Sequence, residues 1–354
     1  MAIYFIIWTY QAFCSFLEFI NLKKEQNNTI AIINIIIFSI FCGLRGEVDN
    51  DYANYVGYWK NAPCLTDSTF MSFLTKIFLH PIEFGYMFTT SCLKSIGFEY
   101  QSIFLFCSFF TFVLFYKATK KLTDKPNTAL LIFISQFIMM PFMQIRYGVA
   151  ISCILYSLAC WKDSEKKKSI LFFVIGGLFH RLAWGCLLLL PLFKLDIKKF
   201  LYLAIISFLI PTSLIEFIFT TVTQMAGWNG YMIYIKNQNS LPLYSLIMYF
   251  ILIIPFLIYF KTKFMENSTY QLLLKMYLIS LIAFFMARNL EILVRISGAF
   301  SISFCFILPA YISIFIKNKF NLISFYCILS LYCFLKYYPC LKFFTPYKFN
   351  FLLL

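Results

Sequence analysis

Arginine and lysine occupy different parts of this chain. Its five arginines, Arg45, Arg146, Arg181, Arg288 and Arg295, lie at the ends of apolar stretches, whereas the lysines cluster in the polar stretches between them. The guanidinium group is a planar fork that binds phosphate or carboxylate through paired hydrogen bonds, and the lysine ammonium is a compact point charge. This separation of the two residue types predicts that the arginines bind an anion and that the lysines have a different role.

The first arginine begins a stretch rich in acids and tyrosines. Arg45 is followed by Glu47, Asp49, Asp51, Tyr52 and Tyr55. One interpretation is a site in which Arg45 grips an anion and a carboxylate handles a hydroxyl group. The alternative is a helix end whose acids are caps and whose arginine extends to a membrane surface.

Two further arginines lie at junctions between apolar stretches. Arg146 lies between two apolar stretches that are too close together for a long loop. An ionisable group in such a place is a candidate functional residue, although it could instead reach a lipid phosphate. Arg181 follows His180, whose side chain can exchange a proton near neutral pH. The other histidine, His80, precedes a proline and is typical of a turn, so the histidines predict no metal site.

The last two arginines flank an acid. Arg288, Glu291 and Arg295 follow one another at spacings that place them on one face of a helix. Glu291 is then either part of a shared site or a simple counter-charge for both arginines. Clustered arginines suit a substrate with a pyrophosphate at the depth of lipid headgroups. Because the chain has no Walker A or dinucleotide-binding motif, that substrate must arrive already activated.

The elements that position these residues are predicted to be membrane-spanning helices. Of the 354 residues, 61% are hydrophobic and 13% are charged, compared with about 25% charged in soluble domains. Apolar runs near the roughly 20 residues that cross a bilayer recur along the chain, which predicts an all-α, polytopic integral membrane protein. The net charge of +15 then reflects loop lysines, so we expect no nucleic-acid partner. The scattered cysteines predict buried apolar side chains.

We expect about twelve membrane segments, with the N-terminus outside the cytoplasm. They run approximately over residues 2–20, 29–45, 100–116, 129–145, 147–161, 169–180, 182–193, 200–219, 243–260, 271–287, 296–316 and 320–337. This membrane topology places the lysine clusters in the cytoplasm and all five arginines on the opposite face. It requires two half-length segments that meet near His180, because a single helix over 169–193 would place the next lysines outside.

Long external loops are expected at about residues 47–99 and 221–242. In the first loop, residues 81–97 are too short and too polar to cross easily, and they predict an amphipathic helix on the membrane surface. The aromatic and basic tail from Lys336 is expected at the membrane interface. Because no repeat or linker interrupts the sequence, residues 1–354 are predicted to form a single domain.

Five short motifs, in order, resemble those of the EpsG-like, Wzy-type polymerases of bacterial O-antigen, capsule and exopolysaccharide. They are Leu44-Arg45 with Val48, Asp51, Tyr52 and Tyr55; Glu83-x-Gly85-Tyr86; Ile145-Arg146 before Gly148; Gly177-Leu178-Phe179-His180; and Arg295 opening a segment that ends at Pro309. The chain differs from the residues usual in that group at Asp49, Tyr147 and Arg181.

The resemblance implies a glycosyltransferase of the bacterial cytoplasmic membrane, with a GT-C-like helical fold and no cofactor or metal. Its donor and acceptor would be undecaprenyl-pyrophosphate-linked glycans, met on the periplasmic face, and its other partners would be membrane lipid and a chain-length regulator protein. Arg146 and Arg295, supported by Arg45 and Arg288, would bind the pyrophosphate. Either His180 or Asp51 would be the base. The remaining substrate contacts would come from Tyr52, Tyr55, Glu83, Arg181 and Glu291.

Other functions fit parts of the same pattern. A lipid-linked oligosaccharide flippase would carry charges in the middle of its segments and show repeat symmetry, whereas here the arginines lie at one face. A membrane O-acyltransferase or ligase could also use a histidine with arginines, and only the ordered motifs argue against it. A purely structural subunit would not need four arginine-bearing junctions.

Overall fold

The computed structural model describes residues 1–20, 23–67, 69–187, 189–225, 267–286, 291–315 and 319–350. Within these ranges the regular structure is helical apart from one isolated bridge between Arg45 and Phe349, which confirms the all-α prediction. The chain divides into two compact units, residues 1–184 with 308–354, and residues 185–307. The single domain expected from the sequence stays a prediction.

The helices of the first unit alternate between long apolar elements and short connecting ones. They are α1 (Ala2–Phe19), α2 (Lys24–Gly43), α3 (Tyr52–Asn61), α4 (Phe70–Phe78), α5 (Phe84–Ser95), α6 (Gln101–Leu122), α7 (Pro126–Phe137), α8 (Met139–Phe142), α9 (Ile145–Lys162) and α10 (Lys166–Phe179). The chain continues through α11 (Leu182–Leu187), α12 (Ile197–Leu209), α13 (Thr212–Met225), α14 (Ser268–Met286), α15 (Glu291–Ser301), α16 (Phe304–Phe315) and α17 (Lys319–Cys340).

The long helices of the first unit run between two faces with different cations. At the arginine face, α2 ends beside Arg45, α8 is followed by Arg146, and α10 ends at His180. At the lysine face, where α6 ends and α10 begins, Lys121 Nζ lies 2.7 Å from a carboxylate oxygen of Asp163 and 2.7 Å from one of Glu165. Within this unit the arginines therefore lie at one end of the long helices, and the lysine cluster of α6 and α10 lies at the other.

Five stretches of the described residues are long and apolar enough to cross a membrane. They are Ala2–Phe19, Lys24–Gly43, Gln101–Leu122, Ser268–Met286 and Leu322–Phe343. Each coincides with a segment predicted from the sequence, and the chain is a multi-pass membrane protein. The count of about twelve segments stays a prediction.

Two predicted segments are interrupted in the structure. The segment expected over 200–219 is divided in two, because the helices on either side of Pro211 meet at a bend of 96°. The residue before a proline avoids helical backbone, and Ile210 is extended, with ψ of 126°. The segment expected over 296–316 is divided between α15 and α16. The segment expected over 243–260 lies outside the described residues.

The break predicted near His180 is present. His180 is extended, with φ of −156° and ψ of 127°, and α11 begins two residues later. The ring of Trp184 packs against Gly177, so closely that a Cβ at that glycine would lie 2.3 Å from Trp184 Cε2. Residues seven apart in a continuous helix are separated by about 10 Å. The chain therefore turns back at His180, as two half-length segments require.

Candidate active site

Three short helices form a layer at the arginine face of the first unit. This layer, α3 to α5, occupies the loop predicted at 47–99, and its apolar side chains Ala62, Phe73, Ile77 and Met87 pack together. The helix expected over 81–97 is α5. Its first turn is buried, so the layer is built into the unit and does not extend from it.

Arg146, in the first turn of α9, lies among three tyrosines of this layer. Its Nη1 donates a hydrogen bond to Glu83 Oε2, and its Cζ lies 6.0, 5.6 and 5.8 Å from the ring centroids of Tyr55, Tyr58 and Tyr86. Arg146 and Glu83 have side chains that are 20% and 11% exposed. We refer to these five residues as the Arg146 cluster.

Two buried polar atoms of the Arg146 cluster have no hydrogen-bond partner in the described structure. They are Arg146 Nε and the Tyr86 hydroxyl. Buried polar groups are almost always paired, so unpartnered ones mark a position for a ligand or an ordered water. The cluster therefore has the hydrogen-bonding capacity to bind a further polar group.

Two tyrosines of the Arg146 cluster, Tyr55 and Tyr86, are neutral hydroxyl groups. Burial raises the pKa of Tyr55, an effect that the nearby Arg146 charge partly offsets, and burial also raises the pKa of Tyr86. Neither phenol is therefore a base at neutral pH. Both side chains are buried, so they line the inside of the Arg146 cluster as neutral O–H groups.

Contacts made by Gly85 and Arg181 hold Glu83 beside Arg146. Glu83 precedes α5, and Gly85 packs directly on the end of α10, where a Cβ would lie 2.9 Å from the carbonyl oxygen of Leu178. Arg181 clamps the same segment, because its Nη2 donates to the Pro81 carbonyl at 2.8 Å and its backbone N–H donates to Glu83 Oε1 at 3.4 Å. The turn between α10 and α11 thereby fixes the position of the Glu83 carboxylate.

His180 lies in that turn with one ring nitrogen engaged. Its Nδ1 accepts a hydrogen bond from the Leu182 backbone N–H at 3.2 Å, and its ring packs edge-on against Tyr147 at 5.5 Å between centroids. A neutral imidazole whose Nδ1 is an acceptor carries its proton on Nε2. Neutral His180 therefore presents a donor at its outer nitrogen. His80 also accepts a backbone hydrogen bond at Nδ1, from Ile82, and burial lowers its pKa.

Arg45 is enclosed rather than presented to a ligand. Its side chain and that of Asp49 are both 0% exposed, and its Nε lies 2.7 Å from Asp49 Oδ2. The guanidinium lies between two rings, 4.7 Å from the centroid of Phe104 and 5.0 Å from that of Phe142. Asp49 Oδ1 in turn accepts the Asp51 backbone N–H at 3.0 Å. The pair therefore shapes the loop that carries Asp51.

Residues 344–350 form a C-terminal strap across the Arg45 loop. The backbone N–H of Gly46 donates to the Lys348 carbonyl at 2.7 Å, and that of Asn350 donates to the Leu44 carbonyl at 2.8 Å. The Asn350 amide also donates to the Tyr52 hydroxyl at 3.2 Å. The tail expected at the membrane interface is thus folded onto the loop next to the site.

The predicted site residues fall into three groups. Tyr55, Glu83 and Arg146 belong to the Arg146 cluster, and His180 and Arg181 adjoin it. Arg45, Asp51 and Tyr52 belong to the loop beneath the strap, where Tyr52 stacks on Phe104 at 5.0 Å. Arg295 lies partly exposed in α15 of the second unit, Glu291 begins that helix, and Arg288 lies outside the described residues.

Three contributing residues were absent from the predicted site. Tyr86 is part of the motif that contains Glu83, and Tyr58 follows Tyr55 by three residues, which places both on one side of α3. These two could have been found from spacing. Asn350 lies 298 residues after Tyr52, so no local pattern connects them.

The sequence also matches a protein-family model along most of its length. The model of the EpsG family aligns with residues 28–349. The chain belongs to the EpsG family. This is a family of Wzy-type polymerase-like proteins, in agreement with the motifs. No curated protein and no solved structure matches the chain.

Two of the three positions at which this EpsG-family chain differs from the usual motif residues lie next to the Arg146–Glu83 pair, and the third, Asp49, lies in the Arg45 loop. Asp49 pairs with Arg45, Tyr147 packs against His180, and Arg181 clamps the segment before Glu83. The differences therefore change the support of the site and leave the central ion pair in place.

Proposed function

We propose that this protein is a membrane glycosyltransferase that polymerises undecaprenyl-pyrophosphate-linked oligosaccharide repeat units. The growing glycan would be transferred from its lipid carrier to a lipid-linked acceptor unit. Membership of the EpsG family supports a membrane polysaccharide polymerase-like function. The structural observation that supports the proposal is the Arg146 cluster, in which a half-buried guanidinium, a carboxylate and tyrosines meet at one end of the helices.

Arg146 would stabilise the leaving group of this reaction. Negative charge develops on the pyrophosphate as the glycosidic C–O bond breaks, and a preorganised donor at that position typically contributes about 3–4 kcal/mol to the lowering of the barrier. Arg146 Nε is a buried donor without a partner, so a phosphate oxygen would satisfy it. Arg181 is exposed next to Glu83 and would supply a second positive charge.

The other arginines receive different roles in this proposal. Arg45 has no exposed surface, so it is a positioning residue that holds the loop with Asp51 and Tyr52 through Asp49. Arg295 and Arg288 are further candidates for contacts to the pyrophosphate and Glu291 for a contact to the substrate, as the sequence motifs imply. Tyr55 would contact a sugar of the donor or the acceptor.

We further propose that the arginine face points to the periplasm and the lysine face to the cytoplasm of a bacterial cell. Cytoplasmic loops carry an excess of lysine in membrane proteins, and the lysine face gathers Lys121, Lys162 and Lys168. The site would then meet lipid-linked repeat units after they reach the outer leaflet of the cytoplasmic membrane. A chain-length regulator protein would be a partner on the same side.

A deletion strain complemented with variants tests this function. Arg146→Lys keeps the positive charge but cannot reproduce the guanidinium fork, so we expect a loss of activity of about 10²–10³-fold. Gel analysis of the glycans should show single repeat units outside the cell in place of long polymer. Lys76→Gln, at an exposed lysine of α4, is the matched control and should restore the wild-type ladder.

Two results would contradict the proposal. Repeat units trapped on the cytoplasmic leaflet of the deletion strain would indicate a flippase. A wild-type chain-length distribution from Arg146→Lys, at equal membrane levels of the protein, would remove Arg146 from the site.

A further inference from the structure

The Glu83 carboxylate occupies Nη1, one of the Arg146 donors to which a pyrophosphate could bind, while the buried Nε has no partner. Nη1 of Arg146 donates to Glu83 Oε2, and the carboxylate is 11% exposed, so a ligand can approach the pair from the surface. A pyrophosphate carries more charge and more acceptor oxygens than one carboxylate, and arginine binds such groups strongly. Binding of a pyrophosphate at Arg146 would therefore displace Glu83 from its partner.

A displaced Glu83 would stay next to the bound anion. The segment before α5 is held by the hydrogen bond from Arg181 Nη2 to the Pro81 carbonyl at 2.8 Å, and α5 itself is pinned by the contact between Gly85 and Leu178. Glu83 Oε1 already faces the Arg181 backbone N–H at 3.4 Å, near the partly exposed His180. The carboxylate can rotate about its side-chain bonds, but its backbone is fixed beside Arg146.

The other two candidates for a base are His180 and Asp51. The Nδ1 lone pair of His180 accepts the Leu182 N–H, so a neutral imidazole has its proton on the outer nitrogen. The Asp51 backbone N–H donates to Asp49, which positions Asp51 in the Arg45 loop, and the Asp51 charge helps to raise the pKa of Tyr55. Among the described residues, the carboxylate in an ion pair with Arg146 is that of Glu83.

We infer that Glu83 is the catalytic base of the proposed transferase, and that the donor pyrophosphate releases it for this role by taking its place on Arg146. The acceptor hydroxyl oxygen bonds to the anomeric carbon of the donor sugar. The bond from that carbon to the pyrophosphate oxygen breaks, and its electron pair leaves with undecaprenyl pyrophosphate. The hydroxyl proton passes to the Glu83 carboxylate, which returns it to water after the product leaves. This inference rests on the proposed function.

The arrangement predicts opposite effects of one substitution on binding and on turnover. In Glu83→Gln no carboxylate competes for Arg146, so the affinity for undecaprenyl pyrophosphate should rise by about tenfold. Turnover should fall by about 10²–10⁴-fold, because the amide cannot accept the hydroxyl proton. Affinity is measured with the full-length protein in detergent, and turnover as the conversion of single repeat units into polymer in membrane vesicles.

Two further variants serve as controls for Glu83→Gln. Glu83→Asp keeps a carboxylate and should retain near wild-type affinity with partial turnover. Glu99→Gln removes an exposed acid near the same face and should match the wild type in both measurements. A loss of both affinity and turnover in Glu83→Gln, with no recovery in Glu83→Asp, would show a structural role and overturn the inference. Wild-type turnover in Glu83→Gln would also overturn it.

The inference and the proposed function fail in different ways. If wild-type vesicles form no polymer and the protein does not bind undecaprenyl pyrophosphate, the proposed function fails and the inference with it. If Arg146→Lys abolishes polymer formation while Glu83→Gln sustains it, only the assignment of the base is wrong.

Discussion

The buried pair of Arg45 and Asp49 makes a prediction about stability that does not depend on function. Replacing Arg45 with methionine leaves the Asp49 carboxylate buried without its cation, and such a change typically destabilises a protein by about 3–5 kcal/mol. The pair suits this estimate because both side chains are 0% exposed and are joined at 2.7 Å.

The individual contacts of Arg45 support a loss of stability of the same size. The guanidinium lies 4.7 and 5.0 Å from the Phe104 and Phe142 centroids, and each desolvated cation–π contact contributes about 1–2 kcal/mol. The Cys42 carbonyl, which accepts from Nη1 at 3.0 Å, would lose its charged donor. Packing of the methionine recovers part of this loss. The expected loss of stability is therefore about 3 kcal/mol, the lower end of that range.

A double-mutant cycle in detergent micelles measures the coupling by equilibrium unfolding. Asp49→Leu combined with Arg45→Met removes both charges. The double variant should therefore lose less unfolding free energy than the sum of the two single losses, by at least about 2 kcal/mol. The exposed pair of Lys24 and Asp124, joined at 3.4 Å, is the control, and Lys24→Met should change stability by less than about 0.5 kcal/mol. Additive losses, or a loss below about 1 kcal/mol in Arg45→Met, would refute the reasoning.

Two other predictions concern the packing of α5 and the lysine face. Gly85→Ala should destabilise the protein by about 1–3 kcal/mol and lower polymer formation, because its Cβ would meet the Leu178 backbone, whereas Gly57→Ala, with nothing within 4 Å, should be neutral or stabilising. Equal effects of the two substitutions in unfolding assays would contradict this packing argument. Hydrogen bonds from Lys121 and a second lysine hold the pKa of Glu165 below its usual 4.5. The stability that the Glu165 carboxylate contributes is therefore fully present above pH 4.5, and it is lost as the pH falls through the lowered pKa. Unfolding measured from pH 7 to pH 3 should therefore show a smaller acid loss in Glu165→Gln than in the wild type.

The sequence was sufficient to locate the helix ends but not their pairings. Arg45, Arg146 and Arg181, each at the end of an apolar run in the sequence, lie at one end of the long helices of the first unit, because helix length follows local rules. The break at His180 could also be predicted, since a straight helix would have moved the next lysines to the wrong side. The bend at Pro211 was missed, although the proline itself was the signal.

Pairings between distant residues could not be predicted in the same way. Arg45 was interpreted as a ligand-binding residue because acids follow it, and one of those acids, Asp49, closes on it four residues later and buries both. The hydrogen bond between Arg146 and Glu83 joins residues 63 positions apart, and only packing of α5 on α10 brings them together. The C-terminal strap was not predicted, although the alternation of Thr345, Tyr347 and Phe349 with other residues is typical of extended backbone.

The strap also constrains how many times the polypeptide traverses the bilayer. The Tyr4 hydroxyl at the start of α1 donates to the Thr345 carbonyl at 3.1 Å, and the Tyr337 hydroxyl donates to the Tyr4 carbonyl at 3.0 Å. Two points on the same side of a bilayer are connected by an even number of crossings, so any revised topology between them must gain or lose segments in pairs. An alkaline phosphatase domain fused after the strap would consequently report, by its activity, the compartment in which the Arg146 cluster operates.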